Sequence, residues 1–177
     1  TQIQNQDWDE LDEGIRVFQR LNGSVRQFEK PVVAACHGYT LGGGCELSMG
    51  AHHVVAAAET YLGLPEVGVG VIPAAGGSKE MLVRATESLP RAEDFDYFPF
   101  VRQAFETIGL AKVSRSAPEA VKLKYLRAHE STLVLNRDWH IGEAKARVLQ
   151  LAAAAAPPRL PRTDIPALGE SGVAQFK

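Results

Sequence analysis

An apolar run that breaks into three consecutive glycines constrains this chain more than any other feature: Val32-Val33-Ala34-Ala35-Cys36, then His37-Gly38-Tyr39-Thr40-Leu41, then Gly42-Gly43-Gly44-Cys45-Glu46-Leu47. Val32 to Cys36 reads as a buried strand, and the glycines open a short helix from about Gly44 to Gly50 that carries Glu46 near its start. Glycine lets a ligand approach the main chain, and the first N–H groups of a helix lack an intrahelical acceptor. Strand, glycine loop and helix N-terminus together can hold an anion or an oxyanion. A tight turn or a close packing contact is the simpler reading of the glycines alone.

A second segment changes the weighing. Tyr61-Leu62-Gly63-Leu64-Pro65-Glu66-Val67-Gly68-Val69-Gly70-Val71-Ile72-Pro73-Ala74-Ala75-Gly76-Gly77 places another carboxylate among glycines and apolar residues. Two acids in apolar surroundings point to acid/base chemistry. Taken singly, Glu46 reads as a first-turn acid favoured by the helix dipole, which would lower its pKa, and Glu66 reads as a loop or N-cap acid.

With 177 residues the chain is long enough for one domain with a core. Its net charge of −2 gives no reason to expect nucleic acid or an anionic membrane as partner. The longest late apolar stretch, Val148 to Ala156, is too short to span a bilayer, and the first residues do not form an apolar leader, so a cytoplasmic location is expected. Cys36 and Cys45 have neither metal-ligand spacing nor a disulfide framework and are expected as reduced core thiols. Thr1 and Lys177 both look like cut ends, so a piece of a larger polypeptide is expected.

Spacings of three and four among Leu11, Ile15, Phe18, Leu21, Val25 and Phe28 predict an amphipathic helix over about Asp9 to Glu29, ended by Pro31. His53 to Ala57 reads as a second buried strand, so strand, helix and strand imply a βαβ crossover. Further helices are expected over Ser78 to Leu89 and Phe100 to Ile108. Ser116-Ala117-Pro118-Glu119 reads as a capping box that starts a helix to about Arg127. Thr132 to Leu135 is expected as a strand, Asn136 as a turn, and His140 to Ala156 as a last helix stopped by Pro157-Pro158. The domain is expected to span 1–158, with 159–177 as an extended tail ordered by a neighbour. Phe95, Tyr97, Phe98 and Phe100 are expected to serve core or interface packing, and His37 to be satisfied within a turn.

Lys30-Pro31-Val32-Val33-Ala34-Ala35, Gly38 through Leu47, and Gly63-Leu64-Pro65-Glu66 through Ile72-Pro73 to Gly76-Gly77 resemble the enoyl-CoA hydratase/isomerase (crotonase) family. Gly76-Gly77-Ser78-Lys79-Glu80, Phe105-Glu106-Thr107-Ile108 and Ala111-Lys112-Val113-Ser114 bring the likeness closest to the hydratase-like region of long bacterial 3-hydroxyacyl-CoA dehydrogenases of fatty-acid β-oxidation. The resemblance covers about Asp9 to Lys177. It implies an α/β fold, the later turns of a crotonase-type βαβ spiral with C-terminal helices and without the N-terminal part of the family fold.

The resemblance also implies roles. Gly43 matches the glycine whose N–H holds the thioester oxygen, Glu46 the acid that orients and deprotonates water, and Glu66 the acid that exchanges a proton with the α-carbon. Leu41, Gly42, Pro65, Val69 and Ala74 are the implied substrate-binding positions. The implied substrate is an acyl-CoA thioester, here a trans-2-enoyl-CoA; no metal or cofactor is implied for this chain, and NAD only for the dehydrogenase part of a parent protein. Homo-oligomers, trimers or multiples of them, are implied as well. The chain departs from the family pattern in three ways: the loop that supplies the second oxyanion donor is absent, Ala74 stands in place of the usual glycine, and His52 in place of aspartate, where a local structural hydrogen bond is expected. Two other readings remain: a catalytically silent assembly module, and an isomerase that uses Glu66 alone.

Overall fold

The computed structural model describes residues 5, 7–92, 94–155 and 159–176. Its order is α1 (Trp8–Gln27), β1 (Val33–Leu41), α2 (Gly43–Gly50), β2 (His53–Gly63), a 3-10 turn (Glu66–Val69), α3 (Gly77–Thr86) and α4 (Phe98–Gly109). There follow α5 (Ala117–Lys122), β3 (Ser131–Val134), α6 (His140–Ala153) and α7 (Gly169–Gln175). The three strands form a parallel sheet in the order β1-β2-β3. A parallel pair needs a crossover, and α2 supplies the one between β1 and β2, as the tight spacing of these segments requires.

Both strands outrun their sequence-based ends. β1 continues past Cys36 to Leu41, which shortens the expected glycine loop to the turn at Gly42. β2 continues past Ala57 to Gly63. The extra length comes from cross-strand partners: Gly38 to Leu41 pair with Thr60 to Gly63 after a register shift beyond Cys36. At that shift Gly38 adopts φ +60°, a left-handed value that glycine takes without strain. The Thr60 hydroxyl fills the break with hydrogen bonds to the carbonyls of Cys36 and Ala57 (3.0 and 2.6 Å).

Around the sheet, Met49, Val54, Leu62, Leu64, Met81, Tyr125 and Leu126 belong to one apolar core. Cys36 and Cys45 lie buried and free within it, as expected. α5 stops at Lys122 rather than near Arg127. Lys124 adopts φ +68° and turns the chain so that Tyr125 enters the core and donates to the Lys112 carbonyl (2.7 Å). Burial of one large aromatic overrides helix propensity there. The capping box forms with one change: Ser116 Oγ accepts from Glu119 N–H, while Glu119 Oε2 accepts from Arg115 N–H rather than from Ser116.

α1 ends at Gln27, two residues short of the expected Glu29, and α3 occupies Gly77–Thr86 rather than Ser78 to Leu89. α6 is helical to Ala153; Ala156, Pro157 and Pro158 lie outside the described residues. The segment after residue 158 is not extended throughout. It contains α7, Arg159 bonds the His52 carbonyl and Glu130, and Phe176 stacks on Phe105 and packs on Phe98. Phe98 thus packs with the tail, while Phe95 stacks on Phe100 and meets Tyr97 edge-on, in line with the packing role expected of these rings. His52 makes the local bond expected of it, its Nδ1 accepting from Val32 N–H (3.1 Å).

Candidate active site

β1, α2 and the segment after β2 bring Glu66 against Gly42 at the start of α2, the helix that carries Gly43 and Glu46. Gly42 leaves β1 at φ +55°, ψ −128°, and its N–H donates to the carbonyl of Gly63 at the end of β2 (2.9 Å). The turn into α2 is therefore fastened to the neighbouring strand. Gly42 has no side chain to cap the helix. The first-turn N–H groups, beginning with Gly43, therefore keep free hydrogen-bonding capacity.

Glu66 opens the 3-10 turn and folds its carboxylate back over Gly42. A Cβ built on Gly42 would lie 3.3 Å from Glu66 Oε1. The other oxygen, Oε2, is buried without a hydrogen-bond partner among the described residues. Burial raises the Glu66 pKa, and the negative charge of Glu46 raises it further. An unpartnered carboxyl with a raised pKa can donate a proton.

Glu46 is 5% exposed, and its Oε1 accepts from Gly77 N–H at the start of α3 (2.8 Å). Burial raises its pKa, against the opposing pull of the N–H groups of Gly77, Ala75 and Gly76. This corrects the expectation of a dipole-lowered acid. The helix start favours the carboxylate, but withdrawal from water outweighs that pull.

Several residues that position the site were not legible as such. Phe18 on α1 sits where a side chain at Gly43 would go: a Cβ there would meet the ring at 2.7 Å. Gln19, next along α1, donates to the carbonyl of Ala74 (2.8 Å). One helix thus braces both glycine segments. At the far end of α2, the Met49 carbonyl accepts from Arg26 and from Arg84 (2.9 Å each). Cations at a helix C-terminus complement its dipole. Glu80 pairs with both arginines, so α1, α2 and α3 meet at one buried charge cluster. Glu80 and Arg84 stand four apart, and that spacing was the available signal.

Of the remaining positions, Leu41 ends β1, Pro65 precedes the 3-10 turn, and Val69 closes that turn at 81% exposure. Ala74 lines a cavity of about 550 Å³ between α1, the 72–76 loop and residues 160–165. Glu46 lines this cavity; Gly43 and Glu66 do not. Among the described residues no cluster of His, Cys, Asp and Glu could hold a metal ion, and no helix is long and apolar enough to cross a membrane.

A family model described as enoyl-CoA hydratase/isomerase matches residues 1–90. The chain is 39% identical over 178 residues to a probable 3-hydroxyacyl-CoA dehydrogenase of Bacillus subtilis, an alignment that takes in 98% of this chain and 21% of that protein. It is 44% identical over 63 residues to a probable enoyl-CoA hydratase of the same organism, covering 36% of this chain and 24% of that one. Among solved structures, an enoyl-CoA hydratase from Bacillus anthracis superposes with a TM-score of 0.64 at 27% identity, over 82% of this chain and 48% of that one. The chain thus spans about a fifth of the dehydrogenase and about half of the solved hydratase.

Proposed function

The chain belongs to the enoyl-CoA hydratase/isomerase family, and we propose that it carries half of an enoyl-CoA hydratase site within a β-oxidation protein of the 3-hydroxyacyl-CoA dehydrogenase kind. The observation that carries this reading is the Glu66 carboxylate folded over Gly42 where α2 begins, with the buried Glu46 carboxylate in that helix's first turn; burial raises the pKa of both. Hydration of a conjugated thioester needs a base for water, a proton donor for the α-carbon, and a donor that holds negative charge on oxygen.

In this reading the thioester oxygen of a trans-2-enoyl-CoA rests on Gly43 N–H. Glu46 takes a proton from water as the water oxygen bonds to the β-carbon. The double-bond electrons move onto the thioester oxygen as an enolate, and the enolate then takes a proton from Glu66 at the α-carbon. Leu41, Gly42, Pro65, Val69 and Ala74 border the substrate. A second N–H donor for the oxyanion comes from elsewhere in the natural protein, as does any use of NAD. The missing donor alone would lower the rate of the isolated chain by about 100- to 1000-fold. The domain takes in 1–158. Oligomerisation, as trimers or multiples of them, and a cytoplasmic location complete the reading; exposed Tyr39, Leu135, Trp139 and Ile141 support association.

The test follows the absorbance of crotonyl-CoA with the natural protein that carries this chain and with the 177 residues alone. The natural protein hydrates it, and the isolated chain does so weakly or not at all. Glu46→Gln removes hydration but leaves double-bond migration, whereas Glu66→Gln removes both, each by about 100-fold or more. Absence of hydration in the natural protein would leave the silent assembly module as the better reading.

A further inference from the structure

The Glu46 carboxylate takes its N–H contacts from a loop with little backbone preference of its own. Gly76 lies at φ +130° and ψ −7°, a conformation that glycine takes without strain, and Gly77 follows it. Bonds to other groups therefore decide which way the loop's peptides point. The first turn of α3 holds two of the carbonyls: Pro73 accepts from the Ser78 N–H and hydroxyl (3.3 and 3.2 Å), and Gly76 accepts from Glu80 N–H (2.8 Å). The carbonyl of Ala74 takes its bond from a different element, the side-chain amide of Gln19 on α1 (2.8 Å).

That bond grips one edge of a rigid plate. The peptide between Ala74 and Ala75 is planar and trans, so its C=O and its N–H point in opposite directions. Gln19, itself exposed, holds the C=O edge from outside. The other edge carries the N–H of Ala75, a residue 6% exposed. On that inner side the N–H groups of Ala75 and Gly77 act on the Glu46 carboxylate, Gly77 through a bond of 2.8 Å.

We propose, on the hydratase reading, that Gln19 is a positioning residue for Glu46: by fixing the Ala74–Ala75 peptide it aims the N–H groups of the 75–77 segment at the carboxylate that takes the proton from water. Glu66 stands on a separate turn, Glu66–Val69, so the contribution belongs to hydration and not to double-bond migration. N–H groups aimed at a carboxylate favour its ionised form. Without the hold on Ala74 the Glu46 pKa rises further, and less of the base is ionised at a given pH.

The charged groups around Glu46 are Glu66 beside the start of α2, Arg26 on α1, Lys79 and Glu80 on α3, and Arg162 after α6; the last four line the cavity that Glu46 borders. Gln19→Met leaves all of them in place. It keeps the length and neutrality of the side chain and removes the donor.

In the natural protein, Gln19→Met should lower kcat for hydration of crotonyl-CoA on the order of tenfold on the acid side of the pH profile, move that limb to higher pH, and leave migration of a 3-enoyl-CoA as it was. Gln19→Lys puts an N–H donor back within reach and should restore most of the rate. Carbon-13 NMR of labelled glutamate, with Glu46→Gln identifying the signal, should show Glu46 titrating at higher pH in Gln19→Met with no substrate present. Thermal melting establishes that the variants fold. Equal loss of hydration and migration would overturn the proposal, since Gln19 would then support the site as a whole. An unchanged profile and titration would overturn it too, as would a Gln19→Lys variant no faster than Gln19→Met. A natural protein without any hydratase activity would remove the hydratase reading, and the NMR titration would still decide whether Gln19 acts on Glu46.

Discussion

Gly77→Ala tests whether the start of α3 and the carboxylate of Glu46 fit as closely as the structure has them. In a helix with room, glycine to alanine is favourable by roughly 0.5 to 1 kcal/mol. At Gly77 the added methyl would lie 2.8 Å from Pro73 Cβ, 2.9 Å from Glu46 Oε1 and 3.1 Å from Glu46 Cγ. Pro73 is a rigid ring and fully buried, so it cannot swing away. Overpacking of this sort costs about 1 to 3 kcal/mol. If Glu46 yields instead, it gives up its bond from Gly77 N–H, and a hydrogen bond to a charged group is worth about 1.5 to 3 kcal/mol.

Against the helix gain, a net loss of about 1 kcal/mol follows, or a fall in Tm of about 2 to 4 °C for a chain of this size. The Glu46 pKa should also rise further, because that N–H helps to hold the carboxyl down. Thermal melts followed by circular dichroism, with a carbon-13 NMR titration of Glu46, measure both effects. Gly23→Ala is the matched comparison: its methyl meets nothing, so the same substitution should raise Tm. If both alanine variants raise Tm alike, the close packing of Gly77 on Glu46 is refuted.

Replacing Glu46 or Glu66 by glutamine should stabilise the protein near neutral pH while it removes activity. Both folded-state pKa values lie above the usual carboxylate value, so as pH rises from about 4.5 the unfolded chain ionises first and stability is lost. The gain in Tm should be present at about pH 7 and vanish below about pH 4, where both states are protonated; a gain equal at both pH values would refute the assignment. Arg84→Met should cost about 2 kcal/mol in urea unfolding, because it leaves the buried Tyr125 carbonyl without its donor and removes one of the buried cations that Glu80 and the Met49 carbonyl share with Arg26. Arg84→Lys should recover less than half of that loss, since one ammonium cannot span carbonyls on separate elements, and a loss below about 1 kcal/mol for Arg84→Met would count against the cluster as an anchor for α2.

Legibility in the sequence followed the range of the cause. The amphipathic period from Leu11 to Phe28, the Ser116 cap and the Asn136 turn depend on neighbours within a few residues, and each appears in the structure close to its expected place. The ends of β1, β2 and α5 do not, because partners distant in sequence set them: Tyr39 and Thr40 extend β1 only because Tyr61 and Leu62 lie beside them, and Tyr125 ends α5 by entering the core. The Glu46 pKa was misjudged for the same reason. The dipole of α2 can be read from the chain, but the burial that outweighs it comes from packing.

Period and the order of apolar segments were enough to determine a βαβ crossover and hence parallel strands, since backbone preference is carried by the chain itself, while the family was legible through the resemblance of Lys30 to Ala35, Gly38 to Leu47 and Gly63 to Gly77 to a known family. Tertiary structure alone decided that Phe18 fills the space beside Gly43, that Gln19 holds the Ala74 carbonyl, and that two arginines meet at Met49. It also opened the cavity behind Glu46. Each of these joins residues far apart in sequence, and short-range contact energies and desolvation depend on distances that only the folded chain sets.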